Sequence, residues 1–512
     1  MKLKPQTRTP CQWQVLSCVV LIIATVSWLP AYGQSGFDDD RVMLQGFYWE
    51  SYRHGHPEKP QFSSFGNAHW YSLVQQQAST INMGRFDLIW LPPPSYAGQY
   101  SAGYNPKEYF RLDNSYGTFD EHRAMLEALL QYGVEPIADI VINHRDGSQK
   151  WADFQNPTWD TKAITKYDEA FYNTESEVYN TPESKRGADE ESTNEYAPMR
   201  RTAYGYGDFR DLDHTNVTVQ QDIVKYLLQL RSMGYRGWRY DMVHGYHARR
   251  LAYYNTMTNP TFSVGEYDWG AHNEQRGWMW YTATDTASAK GNDHIKSSSS
   301  VFDFTTFFTL KANKGMGQYF VWYGFGNGIG MVGDTTDNLS WKNRSVTFLE
   351  NHDTGYRTNE DGTPQAGHEY DSFQNGWEVE QAYAQILTHP GIPTVYWKHY
   401  FDWGQGLTNK IQALINARKV AGVHAGSTLL LQDNARGKGV YAARIQGRNG
   451  DLYMRVGGSD ADWQPSDSNY RDYREYAQGT GWKVWVSLPG NPTVQQAPRK
   501  TALPVPTYVP PD

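Results

Sequence analysis

Residues 217–241, VTVQQDIVKYLLQLRSMGYRGWRYD, contain a helix followed by a strand, the order that decides the fold. Four apolar residues repeat at helical spacing and fall on one face, namely Val219, Ile223, Leu227 and Leu230. Gly234 ends this helix, because glycine is typical of the position just after a helix. A short apolar strand then ends at Asp241. The stretch therefore predicts one helix-then-strand unit of an α/β protein.

The same alternation of a short apolar strand and a helical stretch recurs along the chain. The predicted strands are Val42–Trp49, Phe86–Leu91, Pro136–Ile142, Gly237–Asp241, Thr261–Glu266, Val301–Phe304, Ser345–Leu349 and Pro393–Tyr396. Strands that alternate with helices form parallel sheets. Because there are eight of them, we expect a closed (β/α)8 TIM barrel.

Two interruptions of this alternation predict further domains. We assign 34–144 and 208–420 to the barrel, and the polar, Tyr-rich stretch 145–207 to a small inserted domain after the third strand, because it is too long for an ordinary loop. Alternating strands with Gly-rich turns predict an all-β domain over 421–490. The Pro-rich tail, 491–512, is expected to be disordered.

The first 33 residues have the composition of a signal peptide. They contain a basic start, an apolar stretch over Val15–Trp28 and the small-x-small pattern Ala31-Tyr32-Gly33. We therefore expect a secreted or periplasmic protein with no membrane anchor after cleavage. Both cysteines, Cys11 and Cys18, lie in the part removed, so no disulfide is expected. A large core or a structural ion such as calcium would then stabilise the exported chain.

The composition is that of an ordinary globular protein of 512 residues with a net charge of −8. An acidic chain without clusters of Lys and Arg argues against a nucleic-acid partner. Aromatic residues make up 15% of the chain. Core packing accounts for most such residues, although Trp and Tyr also stack on sugar rings. Oligomeric state is not encoded in these features, and a monomer is the default expectation.

Polar residues at the ends of the predicted strands meet at one mouth of the barrel, where active sites of this fold lie. They are Asn143, His144, Arg239, Asp241, Glu266, His352 and Asp353. A pair of carboxylates is what glycoside hydrolysis needs. Arg239 lies two residues from Asp241 on the same face, so it should keep Asp241 ionised as a nucleophile. Glu266 has no adjacent cation and suits the acid.

Two other interpretations of the same residues remain open. A single carboxylate at a strand end is more often a helix cap or an ion-pair partner than a catalytic group. A metal hydrolase that uses His144 and His352 as metal ligands is the more specific alternative. It ranks behind glycoside hydrolysis, because the closely spaced histidine pairs of such sites are missing from the sequence.

These segments resemble the conserved blocks of the α-amylase family of glycoside hydrolases. The resemblance covers nearly the whole chain after the signal peptide and is closest to plant-type and related bacterial members. Its further motifs are Gly46-Phe47-Tyr48-Trp49-Glu50, Leu91-Pro92-Pro93-Pro94-Ser95, Gly103-Tyr104-Asn105-Pro106 and His389-Pro390-Gly391-Ile392-Pro393. The resemblance implies an endo-acting enzyme that hydrolyses α-1,4-glucans with retention through a covalent glycosyl intermediate.

The roles implied by the resemblance are carried over residue by residue. The nucleophile would be Asp241, the acid/base Glu266 and the third, transition-state carboxylate Asp353. The expected sugar-binding residues are Tyr104, His144, Arg239, His244 and His352. A structural calcium ion would be bound by Asn143, Asp213 and the backbone carbonyl of Gly245.

This sequence departs from the family pattern at two places, and two other functions stay open. His244 stands where many members have Lys or Arg, and Arg210 replaces a common proline. The insertion, 145–207, leaves the remaining calcium ligands open, and Asp208, directly after it, is a further candidate. The alternatives are a transglycosylating enzyme of the same family, decided by the acceptor side of the cleft, and a carbohydrate-binding protein without activity. The second would be expected to lack a catalytic carboxylate, and here all three are present.

Overall fold

A computed structural model describes residues 37–147, 153–166, 187, 209–268, 272–285, 290–314, 319–324, 326–457, 463–465, 473–488 and 497–511. The expected signal peptide, both cysteines, Asp208 and most of the expected insertion lie outside these residues. Among the helices within the described ranges, none is long and apolar enough to cross a membrane.

The centre of the fold is a closed barrel of parallel strands, as the sequence predicts. In chain order its strands are β1 (Met43–Gln45), β2 (Leu88–Leu91), β3 (Glu135–Ile140), β6 (Gly237–Tyr240), β7 (Phe262–Gly265), β8 (Ser300–Phe302), β9 (Ser345–Thr347) and β10 (Ile392–Tyr396). Each strand pairs with its neighbour in this order, and β10 closes on β1. The first strand is shorter than predicted, because a 3-10 helix over Trp49–Arg53 follows it.

Helices lie on the outside of the barrel, and one short helix belongs to the C-terminal part. Those of the barrel are α1 (Trp70–Met83), α2 (Phe119–Gln131), α3 (Val217–Met233), α4 (Ala248–Thr258), α5 (His272–Tyr281), α6 (Asn292–Lys296), α7 (Phe304–Ala312), α8 (Gly376–Thr388), α9 (Trp397–Phe401) and α10 (Gln405–Ala421); α11 (Asp433–Arg436) lies in the C-terminal part. The predicted helix before β6 is α3. Its four periodic apolar side chains are fully buried. Gly234 follows it with a φ of 133°, which explains why a glycine ends this helix.

A two-stranded hairpin marks the point where the chain leaves the barrel after β3. Its strands are β4 (His144–Arg145) and β5 (Arg210–Asp211), which pair antiparallel. The side chain of Arg145 is buried and stacks against Trp159 at 4.6 Å. The described part of the expected insertion therefore packs on the carboxyl-end side of the barrel through this hairpin.

The C-terminal part forms a separate antiparallel sheet, in agreement with the sequence prediction. Its strands are β11 (Thr428–Leu431), β12 (Val440–Gln446), β13 (Asp451–Gly457), β14 (Tyr473–Gly479) and β15 (Trp482–Ser487), in the order β11-β12-β13-β15-β14. The sheet contacts α8 through Glu380, which accepts from the Trp482 indole at 3.2 Å.

The prediction of disorder for the tail is wrong for residues 497–511. The Leu503 amide donates to the Leu130 carbonyl at 2.8 Å, and Lys500 pairs with the buried Asp87 at 3.1 Å. Farther along, Gln229 donates to the Tyr508 hydroxyl at 3.0 Å. Proline does not prevent order here, because this extended segment bonds to the barrel wall rather than to a sheet.

Candidate active site

A cleft with a volume of about 720 Å³ lies at the carboxyl ends of the barrel strands. The strand-end residues that the sequence singles out meet there. Those that line it are Tyr104, His144, Asp241, His244, Glu266 and Asp353. Arg239 and His352 are buried directly beneath them. Six of the eight expected catalytic and sugar-binding side chains are thus exposed to one space.

Arg239 on β6 is the centre of the charge network below the cleft. Its Nη1 lies 2.7 Å from Asp241 Oδ1 and 2.7 Å from Asp139 Oδ1, and its Nη2 lies 2.7 Å from Glu266 Oε1. The expected contact with Asp241 is present. The expectation that Glu266 has no cation beside it is wrong, because the neighbouring strand β7 brings Glu266 to the same guanidinium. One cation therefore holds both carboxylates at the cleft.

Asp139 belongs to this network although the sequence analysis gave it no role. It lies on β3, is fully buried, and accepts from the Trp90 indole at 3.0 Å and the Tyr104 hydroxyl at 2.8 Å. It thereby orients both Arg239 and Tyr104. The sequence did contain a signal for this role, namely a carboxylate within an apolar strand. A charge is rarely buried without a partner, so Asp139 could have been expected to pair with a cation.

Burial and charge set the protonation of the two carboxylates differently. Burial, together with the charge of Asp241, raises the pKa of Glu266 to about 8, although Arg239 opposes this change. Burial also raises the pKa of Asp241, and the Arg239 guanidinium and His144 act against the rise. The sequence-based expectation that Arg239 lowers the pKa of Asp241 identified the right interaction but omitted the larger effect of burial. Glu266 is the group that holds a proton near neutral pH.

The parallel rings of Trp49 and Tyr104 line the cleft next to the carboxylates, and the buried His352 ring lies parallel to both. Tyr104 stacks on His352 at 5.1 Å and on Trp49 at 5.9 Å, with interplanar angles of 6° and 7°. Flat, exposed faces of this kind suit the apolar side of a sugar ring. Trp49 was part of a quoted motif but received no role from the sequence.

Asp353 is held by two neighbours. His352 Nε2 lies 3.0 Å from its Oδ2, and Arg357 forms an ion pair with its Oδ1. Arg357 also stacks over the Trp49 ring at 3.8 Å and donates to the His352 carbonyl at 2.7 Å. The sequence alone gave Arg357 no role. It lies four residues after Asp353, and only the fold of the loop after β9 brings the two side chains together.

The two remaining histidines border the cleft in different ways. His144 Nε2 lies 2.8 Å from the Tyr104 carbonyl, and burial lowers the pKa of the imidazole. His244 Nδ1 lies 3.1 Å from Asp268 Oδ1. Met242, between Asp241 and His244, has a φ of 43°, so the chain turns sharply and both side chains face the cleft.

Two of the three expected calcium ligands, Asn143 and Gly245, lie directly against each other. Asn143 Oδ1 is buried without a hydrogen-bond partner, and a Cβ added to Gly245 would lie 1.8 Å from it. Asp213 is buried, and a Cβ added to Gly187 would lie 2.3 Å from its Oδ2. Among the residues that the structure describes, no cluster of three or more His, Cys, Asp or Glu side chains suits a metal. The metal-hydrolase alternative with His144 and His352 therefore gains no support.

Comparison with protein families gives two matches that agree with this architecture. Residues 81–397 match the catalytic domain of α-amylases, and residues 420–486 match the α-amylase C-terminal β-sheet domain. The first match covers more than half of the chain.

Sequence relatives span most of the chain. A probable α-amylase 2 of Arabidopsis thaliana is 29% identical over 471 residues, which is 88% of this chain and 94% of that protein. A glucan 1,4-α-maltotetraohydrolase of Stutzerimonas stutzeri is 29% identical over 400 residues, 76% of this chain and 64% of that protein.

Solved structures share the fold at lower identity. An α-amylase from Geobacillus thermoleovorans, complexed with acarbose, has a TM-score of 0.58 at 14% identity and covers 87% of this chain and 98% of its own. A cyclomaltodextrin glucanotransferase has a TM-score of 0.61 at 15% identity. The match covers 89% of this chain and 100% of that protein's chain. At these identities the likeness concerns the fold alone.

Proposed function

This chain belongs to the α-amylase family and is a glycoside hydrolase of α-1,4-glucans, and we propose that it works by a retaining double displacement at the cleft around Arg239. The observation that carries this proposal is the pair Asp241 and Glu266, which share one guanidinium at 2.7 Å each. Retention requires carboxyl groups about 5 Å apart. The shared Arg239 guanidinium keeps Asp241 and Glu266 close to each other, which supports this mechanism.

In the first step Asp241 is the nucleophile. Its carboxylate attacks the anomeric carbon, and the bond to the glycosidic oxygen breaks. Glu266 gives its proton to that oxygen, so the leaving chain departs with a free hydroxyl. The raised pKa of about 8 supports this role, because Glu266 is protonated over the neutral range.

In the second step Glu266, now ionised, is the base. It takes a proton from a water molecule whose oxygen attacks the same anomeric carbon and displaces Asp241. The product keeps the α configuration, and Glu266 is protonated again. If an acceptor sugar replaced water here, the result would be transglycosylation, the alternative function that the same geometry allows.

The other residues of the cleft bind and orient the sugar. We assign Asp353 to the sugar hydroxyls, since Arg357 and His352 hold its carboxylate in place. Tyr104 provides an apolar face beneath the ring that is attacked, with Trp49 beside it. His144 supplies a hydrogen bond to that ring and His244 binds the sugars beyond the bond that is cut, while Arg239 keeps Asp241 aligned.

A calcium ion fits the expected ligands, Asn143, Asp213 and Gly245. Calcium prefers oxygen ligands, and Asn143 Oδ1 is an acceptor buried with no donor. Asp213 would add a carboxylate and Gly245 its carbonyl oxygen. When bound, the ion would tie the start of the insertion to the barrel and take no part in bond breaking.

Export is proposed from the first 33 residues alone. Their basic start, apolar stretch and small residues support cleavage after Gly33 and a secreted or periplasmic product. N-terminal sequencing of protein recovered outside the cytoplasm tests this assignment, and a mature protein that still begins at Met1 would contradict it.

The first experiment is hydrolysis of soluble starch by the purified protein. We expect release of reducing ends, and NMR should show the first product as the α anomer. Asp241→Asn should abolish turnover, while circular dichroism shows an intact fold. A β-anomeric product would contradict retention, and near-normal turnover in Asp241→Asn would contradict the nucleophile assignment. Disproportionation products in excess over hydrolysis would favour the transglycosylating alternative.

A further inference from the structure

The cleft continues beyond the rings of Trp49 and Tyr104 into a second lobe. This lobe has a volume of about 590 Å³ and shares Trp49 and Tyr104 with the space above the carboxylates. Neither Asp241 nor Glu266 lines it. A volume of this size is within the range of about 300–1,000 Å³ of small-molecule sites, so it suits a short oligosaccharide.

The chemistry of the proposed reaction fixes which part of the substrate enters this lobe. The leaving oxygen must lie at the acid, Glu266, while the attacked ring lies on Tyr104. The lobe continues from Tyr104 and is remote from the acid. It therefore receives the units attached to O4 of the attacked ring, which lead to the non-reducing end of the chain.

Lys59 contacts two segments that line this lobe. Its Nζ lies 3.2 Å from Glu360 Oε2, in the loop after β9, and 3.9 Å from the centre of the Tyr100 ring. Tyr100 is in turn anchored by donating its hydroxyl to Glu58 at 3.1 Å. All three members of the link, Lys59, Tyr100 and Glu360, line the lobe.

The segment before Lys59 is fastened to the same loop, so the link does not depend on one ion pair. The buried Arg53 donates from Nη1 to the Thr358 hydroxyl at 2.7 Å, and the buried Glu50 accepts from the Thr358 amide at 2.6 Å. These hydrogen bonds therefore fix the loop that carries Glu360 to the segment that carries Lys59. The Lys59 side chain spans from this loop to Tyr100 along the lining of the lobe.

We propose that Lys59, held between Glu360 and the Tyr100 ring, is a bar across the non-reducing end of the cleft that limits how many glucosyl units bind there and so sets the product length. This inference rests on the proposed function. Because Lys59 and Glu360 are partly exposed, their bond opens readily, and the bar biases cutting toward chain ends without preventing internal cuts.

The test compares wild type with Lys59→Ala on long linear amylose. Two quantities are measured early in the reaction: the fall in viscosity per reducing end released, and the lengths of the first products by chromatography. Wild type should release short products within a narrow range of lengths. In Lys59→Ala the viscosity loss per reducing end should rise by about five-fold, the scale that an exposed ion pair can supply, and the first products should lengthen.

Three further variants separate the bar from a general effect on the enzyme. Lys59→Arg keeps a cation for Glu360 and for the ring and should retain the wild-type pattern. Glu360→Gln should shift the pattern in the direction of Lys59→Ala. Lys296→Ala removes the lysine of another surface ion pair, with Asp293, outside the cleft, and should behave as wild type.

Each outcome has one meaning. Equal product lengths and viscosity ratios in wild type and Lys59→Ala would overturn the bar. The ratio is normalised to reducing ends, so a variant that is only less stable or slower does not imitate the effect. No release of reducing ends by wild type would instead refute the proposed function.

Discussion

Glu266 combines burial with a charged surrounding, and this combination gives the reaction a defined pH range. Its pKa of about 8 is raised by burial first and then by the charges of Asp241, Asp268 and Asp139, with Arg239 opposing. An acid must carry its proton, and the protonated fraction falls as the pH rises through the pKa. We therefore expect kcat/KM to decline above about pH 8.

Asp268→Asn tests this electrostatic assignment. The change removes one of the negative charges that raise the pKa of Glu266, so the alkaline limb of the kcat/KM profile should move to lower pH. The measurement is a pH series on a soluble malto-oligosaccharide. Asp285→Asn is the matched control, because Asp285 also pairs with a histidine, His294, but lies outside the cleft. A limb that stays in place in Asp268→Asn, or moves equally in both variants, would contradict the assignment.

At the scale of single residues, the sequence predicted which side chains meet but not how they interact. Asp241 and Glu266 end apolar strands, and parallel strands bring their carboxyl ends together. The contact of Arg239 with Glu266 joins neighbouring strands, β6 and β7, and depends on register, which no local pattern encodes. Asp139 was hidden for the same reason, since its partners come from three other parts of the chain.

At the scale of elements, the ordered tail is the largest departure from the sequence prediction. Residues 497–511 begin near α10, where the Ala497 amide donates to Asn416, and run past the ends of α2 and α3. Arg236, just before β6, donates to the Pro504 carbonyl. A Pro-rich composition predicts disorder only when no surface is present to bind the extended chain. Here the amino-end side of the barrel provides that surface.

Deletion of residues 497–512 should therefore destabilise the barrel without changing the reaction. Loss of the Tyr508 contact with Phe119 at 5.1 Å and of the Lys500–Asp87 pair should lower the free energy of unfolding by about 3 kcal/mol. Denaturant unfolding measures the loss, and kcat/KM should stay unchanged because the tail lies at the end of the barrel opposite the cleft.

Two point variants refine this prediction. Tyr508→Phe keeps the ring and removes only the hydrogen bond from Gln229, so it should cost about 1 kcal/mol. Val505→Ala changes an exposed tail side chain and should be neutral within about 0.5 kcal/mol. Equal stability of the truncated and full-length proteins would show that the tail does not stabilise the barrel.

At the scale of the whole molecule, the sequence predicted the barrel and the C-terminal sheet because both follow from periodicity. Strand-and-helix alternation up to about residue 420 and strand alternation afterwards are local signals that sum over many residues. The predicted bounds of the insertion rest only on the points where this periodicity stops and resumes. The proposed attachment of its start to the barrel depends on the oxygen atoms of the expected calcium ligands. Those ligands were predicted only from the resemblance to the family.

Calcium removal tests how the molecule is held together without disulfides. The cysteines, Cys11 and Cys18, both precede the expected cleavage site, so a reductant should leave the Tm of the mature protein unchanged. A chelator should lower it, because an ion bound only by the folded state stabilises by about 3 kcal/mol at a hundred times its Kd.

Asp213→Asn distinguishes a bound ion from a general effect of the chelator. Asp213 also accepts from the Thr215 amide at 2.9 Å, so the variant loses some stability whether or not calcium binds. The informative quantity is therefore the difference in Tm between excess calcium and excess chelator, measured for each protein. Wild type should show a large difference and Asp213→Asn a small one. A wild-type Tm that is the same in both conditions would contradict the calcium proposal, and the buried Asn143 Oδ1 would then need a different partner.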